Sequence, residues 1–570
     1  MSHRKPTFVV AATLLLACMF AGCSKSSSSP EKKSTATGPE PASVQPASSG
    51  PVDILTYHDD NARTGENANE HILKPSNVNA RVFGKVGFLA VQGLVDAEPL
   101  YVSQLQINGA KRNVVFVVTE HDLAYAFDAD TFEKLWQVSL LGPDETPSDN
   151  RGCGQVTPEI GSTATPAIDL HGGSDGVMYV IAMSKDSSGK YFQRLHALDL
   201  ATGAEVDGSP ETIEATFPGS ALPNTNGQVD FDPKQYKERS SLLLLNGTVY
   251  TSWASHCDFD PYSGWIIGFD AGTLKKTSVL NIEPDGSEGA IWMAGAGPAA
   301  DTAGNIYLLA GNGSFDTTLN SEGFPDKGDY GNAFLKLGVS DGKLFVADYF
   351  DMHNTVAESR KDLDLGSGGT LVLPDMKDGS GKVRHLAVGA GKDDVIYLVD
   401  RNSMGKYNPE NDQAVYQEIP STGSETSNGL GGSGGVYSMP AYFNGVLYYG
   451  AVDDFLRAFK FNHARIVTPA ASHTAITFGY PGTTPSISSD GLRDGIVWAV
   501  ENNTPAVLHA YDATDLSHEL YNSTQEKKRD EIEGNKFITP MIAAGKVFVG
   551  TPTGVAVFGL SPRPPAEPRH

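Results

Sequence analysis

The chain has 570 residues, of which 40% are hydrophobic and 19% charged, and its formal net charge at pH 7 is −25. An acidic protein repels phosphate, which excludes nucleic acid as an expected partner. Length alone predicts three or four domains, an expectation that the internal repeats described below overrule.

Residues 1 to 22 predict a segment that targets the chain for export. Arg4 and Lys5 precede an apolar run from Phe8 to Phe20, and small residues follow before Cys23. The run is too short and too near the terminus to make a good membrane-spanning helix.

The residues around Cys23 resemble a bacterial lipobox, because Phe20 to Cys23 reads FAGC, with Phe where Leu is usual. This resemblance implies that Cys23 is lipidated and becomes the first residue of the mature protein. An ordinary secretory signal with a chance cysteine is the alternative. Ser24 follows the cysteine, which by the same resemblance implies the outer membrane and a cell-envelope location.

Residues 23 to 52 predict a disordered tether, since they are rich in Ser, Pro, Lys and Glu and contain almost nothing apolar. The Pro-rich residues 561 to 570 predict a loose tail. No second linker of this composition interrupts residues 53 to 560, so we expect these to form one domain.

That domain repeats one short phrase, whose fullest copy is Val115–Thr119, Ala126–Ala129 and Leu135-Trp136. Two β-branched runs, a turn-forming Asp and a closing aromatic residue are typical of one propeller blade. Eight units can be counted at the position of that Asp. Five keep the residue, at Asp128, Asp199, Asp270, Asp400 and Asp512, and three are weaker copies around Lys336, Lys460 and the C-terminal VAVFGL.

The repeat count predicts an all-β fold, an eight-bladed β-propeller of four-stranded blades. The last unit has only three strands before the Pro-rich tail, and Phe83 to Val91 reads as a strand without a blade of its own. We therefore expect this N-terminal strand to complete the last blade and close the ring, which removes an exposed sheet edge.

The long connecting segments are predicted to lie on one face of the ring. Links between the first and second strands are short, whereas links between blades and between second and third strands are long, and long loops of this kind are usually functional. The long links include residues 141–163, 252–264, 281–291, 311–332, 350–368 and 418–437.

Two cysteines remain after Cys23 in the exported part, Cys153 and Cys257, and both fall in these long links. An exported chain favours one disulfide between them, with two buried free thiols as the alternative. A bridge over so long a loop stabilises the fold by about 4 to 5 kcal/mol in the chain-entropy model.

Polar and aromatic residues precede the first strand of many predicted blades, at the mouth of the central channel. Carboxylates, cations and an aromatic ring suit a polar ligand or a divalent ion. Capping of free backbone amides, ordinary packing and mutual ion pairs are the alternatives. These residues include Asp96, Glu98, Glu159, Arg239, Trp292, Asp364, Tyr437 and Lys536, with Asn312, Lys392 and Asp362 in nearby loops.

The phrase VVFVVTEHDLAYAFDADTFEKLW resembles the repeat of quinoprotein, or PQQ-repeat, β-propellers. Tyr57, Asp60, Arg63-Thr64-Gly65 and then Asp96 to Val102 follow the order at the start of PQQ-dependent alcohol dehydrogenases. Residues 53 to 560 more closely resemble secreted bacterial PQQ-like propeller proteins of unassigned activity, through motifs such as HCDFDPYSGW, IWMAGAGP and DLGSGG.

The dehydrogenase resemblance implies PQQ in the channel mouth, a calcium ion bridging it to carboxylates and an Asn, and an Asp that takes the substrate proton. Asp96 and Asp364 are then the candidate catalytic residues. Arg239, Trp292 and Lys536 are the candidates for contacting the cofactor. The candidate metal ligands are Glu159, Asn312 and Asp364.

Three departures weaken the dehydrogenase analogy. No adjacent Cys-Cys pair is present, Trp136 has few counterparts in the other repeats, and no Cys-x-x-Cys-His haem motif occurs. We therefore expect a lipid-anchored envelope propeller that binds a ligand or protein partner on its long-loop face. The partner classes are envelope proteins, a glycan or a small molecule. The alternative is a PQQ- and calcium-dependent dehydrogenase that oxidises alcohols or sugars in the periplasm.

Overall fold

Strands dominate the part of the chain that the computed structural model describes, residues 52–424 and 427–561. Its helices are two short α-helices, Thr355–Ser359 and Lys527–Asp530, and two 3-10 turns, Met293–Gly295 and Leu365–Ser367. No helix among these residues has the length and apolarity needed to span a membrane. The predicted signal segment, Cys23, nearly all of the tether and the tail beyond residue 561 lie outside the described residues.

Eight antiparallel sheets of four strands or more account for most of the described residues, and we number them 1 to 8 in chain order of their first strands. The first four sheets are built from consecutive strands. Their strands are Leu100–Ile107, Ala110–Val118, Leu123–Asp128 and Lys134–Ser139 in sheet 1; Ala167–Asp169, Val177–Asp186, Tyr191–Asp199 and Glu211–Thr212 in sheet 2; Leu243–Leu245, Thr248–Ser252, Trp265–Asp270 and Lys276–Asn281 in sheet 3; and Ala299–Ala300, Ile306–Leu309, Phe334–Ser340 and Lys343–Phe350 in sheet 4.

The other four sheets repeat this pattern, except that the fourth strand of sheet 8 comes from the N-terminal part of the chain. Their strands are Thr370–Val372, Leu386–Ala390, Ile396–Asp400 and Gln417–Ile419 in sheet 5; Ala441–Phe443, Val446–Gly450, Asp454–Asn462 and Ser472–Phe478 in sheet 6; Ser486–Asp490, Arg493–Glu501, Val507–Asp512 and Asp515–Asn522 in sheet 7; and Met541–Ala543, Lys546–Thr551, Gly554–Leu560 and Phe83–Ala90 in sheet 8.

Shorter strands lie in the long links and pair with the edges of two of the sheets. Glu145–Asp149 adds to sheet 2 and pairs with Glu159–Ile160, and Glu66–Asn67 runs parallel to the first strand of sheet 7. The remaining short strands are Thr216–Pro218, Asn224–Thr225, Gln228–Asp230, Tyr236–Lys237, Ala254–Ser255, Met376–Lys377, Val383–Arg384 and Arg465–Ile466.

Turn chemistry explains why the first and second strands connect so tightly. Asn108 and Gly109 of sheet 1 have φ angles of 51° and 77°, as a type I′ hairpin turn requires. Asn-Gly pairs at 246–247 and 444–445 also have positive φ angles in sheets 3 and 6. The face opposite the long links is therefore closed by minimal turns.

The repeated Asp at the end of the third strand has a local structural role. In sheet 1, Oδ1 of Asp128 accepts hydrogen bonds from the backbone N–H groups of Asp130 and Thr131, both at 2.9 Å. Asp199 and Asp270 hold the same turn with Thr202 and Thr273. In these three repeats the marking residue is thus a turn-forming carboxylate that leads into the outermost strand.

The strand Phe83–Ala90 pairs antiparallel with Gly554–Leu560, from Phe83 opposite Leu560 to Ala90 opposite Gly554. Sheet 8 is therefore assembled from both ends of the described chain. Phe83 is fully buried and stacks near Trp498 of sheet 7 and Phe558 of sheet 8, at ring distances of 5.4 and 6.4 Å.

Apolar clusters join each sheet to the next one along the chain. Leu100 and Val180 lie in a cluster shared by sheets 1 and 2, and similar clusters link the following sheets up to 7 and 8. One cluster also joins the first sheet to the last, with Tyr101 and Val115 of sheet 1 packed with Phe548 and Val557 of sheet 8.

Residues 54 to 67 run past the first strands of all eight sheets, and this segment, the axial segment, hydrogen-bonds to each of them in chain order. Every contact is 2.6 to 2.9 Å long. They join Ile54 to Tyr101, Leu55 to Ile168, Asn61 to Leu244 and Ala300, Ala62 to Val372, Thr64 to Tyr442, Gly65 to Ile487, and Asn67 to Ile542. The first strands therefore surround one short stretch of chain.

Arg63 anchors the axial segment from within, because its side chain is fully buried and is satisfied mainly by carbonyl oxygens. The guanidinium donates to Pro298 O at 3.0 Å and to Leu242 O at 3.1 Å, as well as to Tyr57 O at 2.8 Å. A Cβ added at Gly65, where φ is 68°, would lie 2.3 Å from the His58 ring, so only glycine fits there.

Cys153 and Cys257 form a disulfide, which confirms that prediction, and their Cα atoms are 5.9 Å apart. The bridge ties the link 141–163 to the link 252–264.

Replacing both cysteines by Ser should lower the free energy of unfolding by about 4 kcal/mol, because the bridge closes a loop across a sequence separation of 104 residues. Denaturant unfolding of the double variant measures this loss. Wild-type protein treated with a reductant should show the same decrease, and an unchanged midpoint in both samples would contradict the expectation.

Candidate functional site

A pocket of about 240 Å³ opens where the chain enters the first strands on the long-loop face. Its wall combines residues that precede these strands with residues from the long links. They are Gln155, Val156, Lys237, Arg239, Ala254, Ser255, Asp258, Tyr262, Ala290, Trp292, Gly311, Asn312, Asp362, Asp364, Lys392, Tyr437, Tyr480, Lys536 and Phe537. The pocket is slightly smaller than sites for drug-sized molecules, which measure about 300 to 1,000 Å³.

Four aromatic rings form an arc along one side of this pocket. The ring centroids of Trp292 and Tyr437 are 5.8 Å apart, those of Tyr437 and Tyr480 are 5.4 Å apart, and those of Tyr480 and Phe537 are 6.1 Å apart. The rings come from the approaches to sheets 4, 6, 7 and 8, so only the assembled fold brings them together. Such an arc offers stacking surfaces to a flat ligand.

Cations lie against the aromatic arc. The guanidinium of Arg239 lies 4.6 Å from the centre of the Phe537 ring, and Lys392 Nζ is 5.8 Å from Trp292 and 5.9 Å from Tyr437. Lys536 Nζ is 6.0 Å from the Tyr480 ring. The pocket thus presents positive charge next to ring faces, an arrangement that attracts anionic groups on a flat molecule.

Lys392 is neutralised by two carboxylates. Its Nζ is 2.7 Å from Asp362 Oδ1 and 2.7 Å from Asp364 Oδ2, and Trp292 Nε1 donates to the other oxygen of Asp364 at 3.3 Å. Burial raises the pKa of Asp364 to about 6, while the charge of Lys392 opposes the increase. At neutral pH Asp364 is therefore a buried, ionised carboxylate fixed by its two neighbours.

Lys237 and Arg239 also line the pocket but lack such close carboxylate partners. Lys237 is 2% exposed, and its Nζ donates to Gln155 Oε1 at 2.8 Å and contacts Cys153 Sγ at 3.5 Å. The carboxylate nearest to Arg239 is Asp96, at 3.7 Å. Among the described residues, no oxygen acceptor is in hydrogen-bond geometry with the Arg239 guanidinium, which leaves its donors available to a ligand.

Asp96 lies behind Arg239 instead of on the pocket wall. Asn535 Nδ2 donates to Asp96 Oδ1 at 2.7 Å. Burial, together with the charge of Asp96 and a hydrogen bond to it, raises the pKa of Glu120 well above its usual range. Asp96 is also the carboxylate that pairs with Arg239, at 3.7 Å.

The structure does not bring the three predicted metal ligands together. Glu159 is not part of the pocket wall and pairs with His121 Nδ1 at 2.6 Å, while Asn312 Nδ2 donates to Glu288 at 3.4 Å and Asp364 is held by Lys392. Across residues 52–424 and 427–561, no group of three or more His, Cys, Asp or Glu side chains could hold a metal ion. These donors do not fit calcium.

Two of these three residues, Asn312 and Asp364, do line the pocket, together with the candidates for contacting the cofactor. Asp364, Asn312, Arg239, Trp292 and Lys536 all line the one pocket. Their individual roles stay predictions.

Several lining residues were missed by sequence reasoning. Lys237 carries a usable signal, since it stands two residues before Arg239 and therefore points to the same side of an extended chain. Tyr480 and Phe537 carry no such sequence signal, because their proximity depends on the positions of separate sheets.

Ionisation of Asp364 should change the fluorescence of Trp292 with a midpoint near pH 6, because the carboxylate accepts the indole hydrogen bond. Since the pKa is raised, the proton is held more tightly in the folded protein, and this contribution to stability is lost as the pH rises from about 4 to about 6. The Trp292→Phe variant isolates the signal from the other four tryptophans. The transition should vanish in Asp364→Asn and remain in Asp362→Asn, and an unchanged curve in Asp364→Asn would refute the assignment.

No family model matches the chain, and no curated protein matches it. Several solved structures, however, match the chain. Quinohemoprotein alcohol dehydrogenase from Comamonas testosteroni is 14% identical over 91% of this chain and 83% of that chain, with a TM-score of 0.58.

Two further solved structures show the same likeness. Quinohemoprotein alcohol dehydrogenase ADHIIG from Pseudomonas putida HK5 is 14% identical over 93% of this chain and 84% of that chain, with a TM-score of 0.56. A europium-containing methanol dehydrogenase is 12% identical over 90% of this chain and 98% of that chain, with a TM-score of 0.54. At such low identity the likeness concerns the fold, and the chain has the all-β, PQQ-like propeller fold of the quinoprotein dehydrogenases.

Proposed function

We propose that the chain forms a closed ring of eight blades that binds a small ligand in the pocket on its long-loop face. The eight sheets, their contacts with the axial segment and the apolar cluster between sheets 1 and 8 support the ring. Pairing of Phe83–Ala90 with the C-terminal strand supports closure by both chain ends.

The ring belongs, in this proposal, to a lipoprotein of the cell envelope. The pattern of residues 1 to 22, Cys23 as the lipidation site and Ser24 support export and an outer-membrane anchor. The disulfide between Cys153 and Cys257 supports an oxidising compartment. The tether would let the ring reach a ligand or an envelope protein at some distance from its anchor.

The ligand that this pocket favours is a small planar molecule with carboxylate groups. The observation that carries the proposal is the aromatic arc from Trp292 to Phe537, with Arg239, Lys392 and Lys536 against its rings. A neutral sugar could stack on the rings, but it would offer no carboxylate to the Arg239 guanidinium, which Asp96 approaches only to 3.7 Å.

PQQ is a planar aromatic tricarboxylate, and part of the site suits it. Trp292 would supply a ring surface, while Arg239 and Lys536 would receive carboxylates. Calcium does not suit the donors, since Asp364 is paired with Lys392 and Glu159 lies elsewhere. Binding in this proposal is therefore independent of metal.

PQQ should bind to the purified protein and quench its tryptophan fluorescence equally with EDTA or with added calcium. Arg239→Gln should weaken binding at least 10-fold, or about 1.4 kcal/mol, because a charged contact to a carboxylate is lost. Lys377→Gln, at an exposed position away from the pocket, is the matched control. Binding that required calcium, or was indifferent to Arg239→Gln, would refute the proposed site.

A second candidate function is PQQ-dependent oxidation of an alcohol or a sugar. Asp364 favours it, because a buried carboxylate with a pKa of about 6 in the pocket is suited to accept a substrate proton. The solved structures with this fold include alcohol and methanol dehydrogenases.

Protein supplied with PQQ should then reduce an artificial electron acceptor when an alcohol or a sugar is added. Asp364→Asn should lower kcat at least 100-fold while leaving the affinity for PQQ within about threefold, since a proton acceptor contributes mainly to the chemical step. The absence of any reduction by wild-type protein that demonstrably binds PQQ would leave ligand binding as the function.

A further inference from the structure

Lys237 is the one buried lysine on the wall of the described pocket that has no carboxylate within 4 Å. Its strand, Tyr236–Lys237, pairs with Ala254–Ser255, so the backbone fixes the side chain against the links joined by the disulfide. Its Nζ has Gln155 Oε1 and Cys153 Sγ as partners, and neither carries a charge that would stabilise an ammonium ion.

Desolvation and a neighbouring cation are the two conditions that turn a lysine into a nucleophile. Both are present here, because burial and then the charge of Arg239 lower the pKa of Lys237 to about 8. At pH 7.5 roughly a quarter of the side chains are then neutral amines, against about one in a thousand for an ordinary lysine. The charged or titratable groups around it are Arg239, Glu120, Asp258, Asp96 and His256.

We propose that Lys237 forms a reversible imine with a carbonyl compound that carries a carboxylate, and that Arg239 receives the carboxylate. The neutral amine of Lys237 attacks the carbonyl carbon, and the resulting carbinolamine loses its hydroxyl group and one nitrogen-bound hydrogen as water. One C=N bond replaces one C=O bond, and no oxidant or reductant is consumed. The step rests on the proposed function only in requiring that a small anionic molecule enters the pocket.

The spacing of the two cations selects the ligand. Lys237 and Arg239 are two residues apart in the chain and both line the pocket, which limits the separation of their Cα atoms to about 7 Å. A ligand with its carbonyl carbon and carboxylate several ångströms apart can reach both, and an aromatic ring between them can stack on the arc. Aromatic or extended oxo acids and carboxylated aldehydes are the expected class.

Reductive trapping tests the inference with 4-carboxybenzaldehyde as the probe. The disulfide-intact protein is incubated with the aldehyde and cyanoborohydride at pH 7, and peptide mass spectrometry measures the modified fraction of each lysine. Lys237 should be modified at least 10-fold more than the exposed Lys111 and Lys377. Unfolding in denaturant should reduce it to the level of those two residues.

Two comparisons separate this chemistry from simple accessibility. Arg239→Gln should decrease trapping of 4-carboxybenzaldehyde at Lys237 at least fivefold relative to trapping of benzaldehyde, which has no carboxylate. Lys237→Arg, checked by its melting temperature, should remove the trapped peptide and keep the fold.

Modification of Lys237 no greater than that of Lys111 would overturn the inference. An equal decrease in the trapping of both aldehydes at Lys237 in the Arg239→Gln variant would also overturn it. PQQ binding is measured on the same preparation. This measurement distinguishes failure of the imine proposal from failure of the proposed function. If PQQ binds and Lys237 is not trapped, only the imine is wrong.

Discussion

The structure depends on how the backbone groups at the free edges of the innermost strands find hydrogen-bond partners. Each first strand is the edge of its sheet, and an unpaired edge leaves backbone N–H and C=O groups without partners. The axial segment, residues 54–67, supplies hydrogen bonds to all eight first strands, and Arg63 adds bonds to the carbonyls of Pro298 and Leu242. One short polar stretch therefore fixes the positions of eight separate sheets.

The pocket is a consequence of this arrangement. Residues just before the first strands converge because the strands converge, so Arg239, Trp292, Asp364 and Phe537 share one wall although almost 300 residues separate the first from the last. The long links then raise the sides of the pocket, and the disulfide ties two of them together. The minimal Asn-Gly turns on the opposite face leave no comparable material there.

The distribution of charge gives the pocket its chemical character. Lys392 is neutralised by Asp362 and Asp364, whereas Lys237 and Arg239 have no carboxylate at hydrogen-bonding distance. The fold is shared with quinoprotein dehydrogenases at 12 to 14% identity, but a fold does not fix the donors of a site. Here the donors favour carboxylates over a divalent cation.

The sequence by itself determined the repeated strands, the turn-forming Asp128 and its counterparts, and part of the pocket wall, and it favoured the disulfide, because these follow from local patterns and from the order of strands in a blade. Only the tertiary structure decided that the axial segment meets every first strand, that Glu159 turns to His121 and away from the pocket, and that Lys237 has no carboxylate partner. Those outcomes depend on distances between residues far apart in the chain. Such distances are set by the packing of whole sheets, which no local pattern encodes.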